Sequence, residues 1–303
     1  MNYLDTIRDL AWFDFRFTLP ENWEVTGHTL DHKEGRLELS DRESYTCRIH
    51  WREALNKPDF RVAHQKWFDS FVKKNKLGFF PSNPIAQSFK KGPFLISKIA
   101  DGEPFWVSLF SKKTGVVLDL YFPVFEEAWV ESETFNQFLN SYSENPMGEQ
   151  GNYWSCWGLK ANMPEGYELE EVSCYPASVG MTFVNKHYHK IRLHRWGLVS
   201  ELLKDYNLQQ FYRSALKQER AVIDSVQSYE NPSGEGSFIE FRERGMKNMD
   251  KLLGSWWLGN GICLHQKDEK RIYAFELVAP KKIMKGLEFE TLAKRVLEPS
   301  LAF

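Results

Sequence analysis

Arginine and histidine stand two residues apart twice in this chain, as Arg48-Ile49-His50 and Arg192-Leu193-His194. A guanidinium offers a planar fork of donors to carboxylates and phosphates. An imidazole changes charge near neutral pH. On a strand, residues i and i+2 share a face, so each pair sets a fixed cation beside a titratable one, with Ile49 or Leu193 turned the other way. Two chemistries fit: an anion or carboxylate pocket repeated in each half, or plain ion pairs with Asp or Glu of a neighbouring element. Trp256 and Trp257 are the next candidates. Adjacent tryptophans on a strand point to opposite faces, so one of them is free to serve as an interface anchor. Burial under a helix on each face is the alternative, and Trp106 raises the same choice.

Other candidates carry less. His187-Tyr188-His189 could place two imidazoles on one face and start a metal site. No third ligand stands at a telling spacing, and solvated histidines at a hairpin tip fit as well. Cys47, Cys156, Cys174 and Cys263 show no CxxC spacing, so neither a zinc site nor a redox pair is expected. Cys156, between Trp154 and Trp157, suits a buried thiol at a strand start. "GNGIC" (259–263) and "GEGSF" (234–238) do not open a helix after a strand, so they read as turns rather than phosphate loops. No GxSxG or other nucleophile motif occurs. No metal, cofactor or catalytic residue is assigned.

The elements that must position these residues repeat. Phe13, Phe15, Phe17 and Leu19 alternate with polar residues, and so do Trp157, Leu159, Ala161 and Met163, 144 positions later. In the same register Pro20-Glu21 meets Pro164-Glu165, Trp23 meets Tyr167, and Leu37 and Leu39 meet Met181 and Phe183. One register over some 40 residues predicts a duplicated domain, 1–147 and 148–303, joined through the polar "ENPMGEQGN". Phe60, Ala63, Trp67, Phe68, Phe71 and Val72 form a helical stripe in the first copy. Leu208, Phe211, Tyr212, Ala215, Val222, Ile223 and Val226 form one in the second. Strand-like runs follow in both: "PFLISKI", "FWVSLFS" and "GVVLDLYFP", then "SFIEFRER", "SWWLGNGICLHQ" and "RIYAFELVAP". "KKTG" and "KDEK" read as hairpin turns. Phe135, Phe138, Leu139 and Tyr142, and Phe289, Leu292, Ala293, Val296 and Leu297, predict a terminal helix for each copy. The expected class is α+β: two similar domains, each an antiparallel β-sheet flanked by a long helix and a C-terminal helix.

Pro20, Glu21 and Trp23, with Pro164, Glu165 and Tyr167, and "RIYAFELVAP" before "FETLAKRVL", make each half resemble the fold shared by the photosystem subunit PsbP and the Ran-binding protein Mog. The resemblance implies a binding scaffold and transfers no catalytic residue.

The 303 residues include 42% hydrophobic, 26% charged and 15% aromatic side chains, enough apolar area for two cores. The net charge is −2, which does not point to nucleic acid. The first 150 residues hold 18 Lys and Arg against 22 Asp and Glu, the rest 21 against 19. No apolar run approaches a spanning helix. The N-terminus lacks the basic start and apolar stretch of a secretory signal. Together with unpaired cysteines, this predicts a cytoplasmic protein. The functional expectation is a non-enzymatic binding protein for a protein partner or a small anionic ligand, with no nucleic acid or membrane as partner and with a homo-oligomer left open. The alternative is an enzyme of unknown class with Arg and His at the domain junction.

Overall fold

The computed structural model describes residues 9–20, 22–41, 45–54, 62, 65, 87–98, 102–124, 126–145, 152–175, 177–218, 221–231, 234–244, 256–286, 288–297, 299 and 300. The chain divides into two compact units, Met1–Met147 and Gly148–Phe303.

In the first unit, β1 (Asp9–Trp12) and β2 (Phe15–Thr18) form a hairpin, and β10 (Ser143–Glu144) pairs with β2. The Phe13-Asp14 turn has Phe13 at φ 45°, a strained value for a bulky residue. Asn145 braces it, donating from Nδ2 to the Phe13 carbonyl (2.7 Å) and from its backbone N–H to that of Asp14 (2.8 Å). The main sheet comprises β3 (Glu24–His28), β4 (Glu34–Ser40), β5 (Tyr45–Glu53), β6 (Gln87–Lys91), β7 (Phe94–Lys98), β8 (Phe105–Phe110) and β9 (Val116–Phe122). Its spatial order is β3-β4-β5-β9-β8-β7-β6. Helices α1 (Glu127–Val130) and α2 (Glu133–Asn140) follow. Ser132 caps α2 by accepting from the Phe135 N–H at 3.2 Å. The helix buries Phe135, Phe138 and Leu139, with Phe138 stacked on Phe17 at 5.0 Å.

In the second unit, β11 (Asn152–Cys156) and β12 (Leu159–Met163) form the corresponding hairpin. Trp157 and Gly158 at its tip both have positive φ, the geometry of a type I′ turn. The main sheet comprises β13 (Tyr167–Tyr175), β14 (Ser178–Asn185), β15 (Lys190–Trp196), β16 (Val222–Asn231), β17 (Gly234–Arg244), β18 (Trp256–Gln266) and β19 (Arg271–Ala279). Its order is β13-β14-β15-β19-β18-β17-β16, the same as in the first unit when strands are counted in sequence. Helices α3 (Val199–Leu202) and α4 (Leu208–Gln218) precede β16; α5 (Lys281–Met284) and α6 (Phe289–Leu297) follow β19. The α4 helix packs on one sheet face against β16, β17 and β18. There Tyr212 and Leu216 meet Ile239, Phe241, Trp257 and Val278. On the other face Phe289 of α6 meets Phe238 and Phe275, and Trp154 of β11 meets Phe183.

The α+β expectation, with a long helix on each sheet, is overturned. The described residues are mostly strand, and the longest described helix, α4, has 11 residues. The stripe Phe60 to Val72 lies outside the described residues. The second stripe was expected to run from Leu208 to Val226, but α4 ends at Gln218 and Val222 begins a strand. The cause is a β-bulge. The β16–β17 register shifts between Ile223 and Ser225, so Asp224 is the extra residue and Ile223 and Val226 fall on one face three positions apart. That spacing imitates a helix, whereas the β-branched run suits a strand.

Three local expectations also change. Phe13 lies in a hairpin turn rather than in a strand continuous with Phe15. Cys156 ends a strand rather than starting one. "GNGIC" and "GEGSF" lie within β18 and β17 rather than in turns. Among the described residues no helix is long and apolar enough to cross a membrane.

Candidate functional site

Each Arg-aliphatic-His motif lies on the third strand of its sheet. Ile49 and Leu193 are fully buried, as their inward phase requires. In the first unit Arg48 stands opposite Glu38 on β4 and donates to it at 3.1 Å. His50 stands opposite Asp119 on β9, and its Nε2 is 3.5 Å from Glu34. Asp119 is buried; it accepts from the Ser108 hydroxyl and pairs with Arg52 at 3.1 Å. Burial raises the Asp119 carboxyl above its usual value, against the pull of Arg52 and Ser108. Burial, then the Arg52 charge, lowers His50, while Glu34 opposes them.

In the second unit the same motif has a different surrounding. Arg192 is buried and stands opposite Glu276 on β19. It donates to Glu276 at 3.0 Å and to Glu243 of β17. Tyr212 reaches down from α4 and donates to Glu276 at 3.3 Å. Lys190 lies 3.7 Å from Glu243, and His194 Nε2 lies 3.8 Å from Glu276. The His194 ring stacks on Trp196 at 5.1 Å. Burial beside Glu276 pushes the Tyr212 phenol well up. A buried carboxylate needs such partners, because an isolated buried charge is costly.

The four motif residues therefore meet acidic side chains of their own sheet. The acidic position opposite the motif differs: it faces His50 in one sheet and Arg192 in the other. Sequence reasoning missed Asp119, Glu243 and Glu276. A signal existed for two of them, since Asp119 and Glu276 are single carboxylates inside the otherwise apolar "VVLDLYF" and "RIYAFELVA". Tyr212 was read only as part of an apolar stripe.

His187 and His189 sit at the β14–β15 turn. Asn185 Oδ1 accepts from the backbone N–H of both, at 2.9 and 3.0 Å, and Tyr188 has φ 67°. Their rings lie 5.8 Å apart. Among the described residues no group of three or more His, Cys, Asp or Glu is placed to hold a metal.

The tryptophan pair divides between the two faces of β18. Trp257 is 3% exposed and packs under α4; Trp256 is 44% exposed. Arg242 lies over the Trp256 ring, 5.8 Å from its centroid. Asp224 holds that guanidinium, with Nε and Nη2 at 2.9 and 2.7 Å. Arg244 stands directly opposite Trp256, and Val222, also exposed, stands opposite Arg242. This end of the sheet presents an exposed indole in a fixed setting. Trp106, by contrast, is fully buried.

No family model matches the chain, and no curated protein does. Among solved structures, the apo immunity protein TplEi of the T6SS from Pseudomonas aeruginosa is similar at a TM-score of 0.38 and 12% identity, over 98% of this chain and 97% of that one. The same protein complexed with "L" peptide gives 0.37 and 12%, over 97% and 100%. At these scores the likeness assigns neither fold nor partner.

Proposed function

We propose that this chain is a non-enzymatic interaction protein whose binding surface lies on the second unit, around Trp256. The observation that carries the reading is an exposed tryptophan on a regular strand, braced by an ion-paired arginine. Tryptophan and arginine dominate the energetics of protein interfaces when they become covered. Here strand pairing and the Arg242–Asp224 bridge hold the indole, so little ordering is left to binding. The alternative, an enzyme or anion site built on Arg48, His50, Arg192 and His194, asks those residues to release carboxylates that already use their donors.

The same reading takes the two units as copies of one ancestral unit. What supports this is the shared strand order, the Arg-aliphatic-His on the third strand of each sheet, and β-bulges at Val25/Gly27 and Leu169/Glu171, again 144 positions apart.

The test is site-specific cross-linking. A photoreactive phenylalanine analogue replaces Trp256 in one variant and exposed Tyr175 in another, each expressed in the native host. A discrete adduct from position 256 and none from 175 supports the reading. Indistinguishable patterns from the two positions reject it.

A further inference from the structure

Resting on that reading, we infer the partner's chemistry: an acidic protein segment that covers Trp256 with an apolar side chain. Around the indole the described surface is basic. Arg244 stands opposite Trp256 on β17. Ala279, the last residue of β19, pairs with Leu258, and the chain then turns through Pro280 into α5, which packs beside β18. Lys281 and Lys282 thus belong to the helix that packs beside β18, and Lys285 caps its C-terminus. All four cations are exposed, and among the described residues none makes an ion pair. Among the described residues, the carboxylate at the indole, Asp224, is already occupied by Arg242. Val222, opposite Arg242 on β17, and Ile283 of α5, which packs beside β18, are also exposed apolar side chains.

This is the composition of an interface with an apolar centre and a charged rim. The indole, Val222 and Ile283 supply area to bury, and the rim cations select the sign of the partner and speed encounter. A protein segment fits better than nucleic acid. The whole chain carries a net charge of −2, and Asp224 puts a carboxylate beside the indole. Among the described residues the patch has four cations without an ion pair, grouped at one sheet end rather than along a continuous basic track.

The experiment selects binders from a phage-displayed library of random dodecapeptides against the full chain, after depletion on Trp256→Ala. Selected peptides are expected to be rich in Asp and Glu flanking an aromatic or aliphatic residue. Synthetic copies should bind about tenfold or more weakly to Trp256→Ala at every salt concentration. An Arg244→Glu/Lys281→Glu/Lys282→Glu variant should weaken them by a similar factor at low salt and much less at 0.5 M salt, because screening removes the rim's contribution. Thermal unfolding of each variant checks that the fold is kept. Peptides that need Trp256 but show no acidic excess, or no charge-reversal effect, overturn this inference and leave the binding surface standing. A selection without Trp256-dependent peptides overturns both. Duplex DNA displacing the peptides at equal charge concentration overturns the choice of an acidic protein.

Discussion

A methyl group at Gly261 would overlap the hydroxyl of Tyr212 and crowd Glu276. Glycine at this mid-strand position is what lets the phenol reach the buried carboxylate. Gly261→Ala should cost about 1–3 kcal/mol through overpacking. Tyr212→Phe, which removes the oxygen, should recover part of that loss in a double-mutant cycle; strictly additive costs would show that the two groups do not share the space. The two arginines of the repeated motif should also part company. Arg192→Ala leaves Glu243 and Glu276 buried without their main cation and should cost about 3–5 kcal/mol. Arg48 is part-exposed beside Glu38, and Arg48→Ala should cost no more than about 1 kcal/mol. Denaturant titration decides, and equal losses would mean that the surroundings of the two motifs are energetically alike.

At the scale of elements, β18 makes one strand serve two purposes. Trp257→Ala opens a cavity under α4 and should cost about 3–5 kcal/mol, whereas Trp256→Ala should change stability by no more than about 0.5 kcal/mol. Comparable destabilisation by both would place Trp256 in the core. The β5–β9 pair carries a pH dependence. His50 titrates below 6.5 when folded, through burial and Arg52, then Arg48 and Arg36, with Glu34 opposing. Below 6.5 the unfolded chain takes up that proton more readily than the folded one. The contribution is therefore full above 6.5 and is lost as pH falls through the folded value. His50→Gln should thus lose less stability than the parent between pH 7.5 and 5. His28 and His265, also lowered by burial, keep some slope in the variant. Asp119, raised by burial, works in the opposite sense, gaining stability as pH falls from its folded value towards 3.8. Urea midpoints that fall in parallel for parent and His50→Gln would remove His50 from the account.

For the whole molecule, the proposed recognition surface and the fold rest on different residues. The charges that hold the sheets, such as Arg52–Asp119 and Arg192–Glu276, are turned inward, while Arg244 and the lysines of α5 are exposed and make no ion pair among the described residues. Reversing Arg244, Lys281 and Lys282 together should therefore leave stability within about 0.5 kcal/mol per site, measured by thermal or urea unfolding. A large loss would show that these cations are structural.

Much of the architecture was legible because its signals are local. Period-two runs marked β2 and β12, strand-like apolar runs marked β8, β9, β17 and β19, and apolar stripes at helical spacing marked α2 and α6. The period of two also put Arg and His of each motif on one face, and the two tryptophans on opposite faces. What the sequence could not supply was the partner across the sheet. Whether a carboxylate stands opposite His50 or Arg192 depends on register between strands some 70 to 80 residues apart. Glycines 259 and 261 looked like turns because their purpose, space for Phe241 and Tyr212, comes from other elements. Val222 to Val226 looked helical because one bulged residue changed the spacing of the buried side chains. Periodicity along the chain determined which residues share a face; only tertiary pairing, which adds burial and register, decided which charges are neutralised and which tryptophan is left in water.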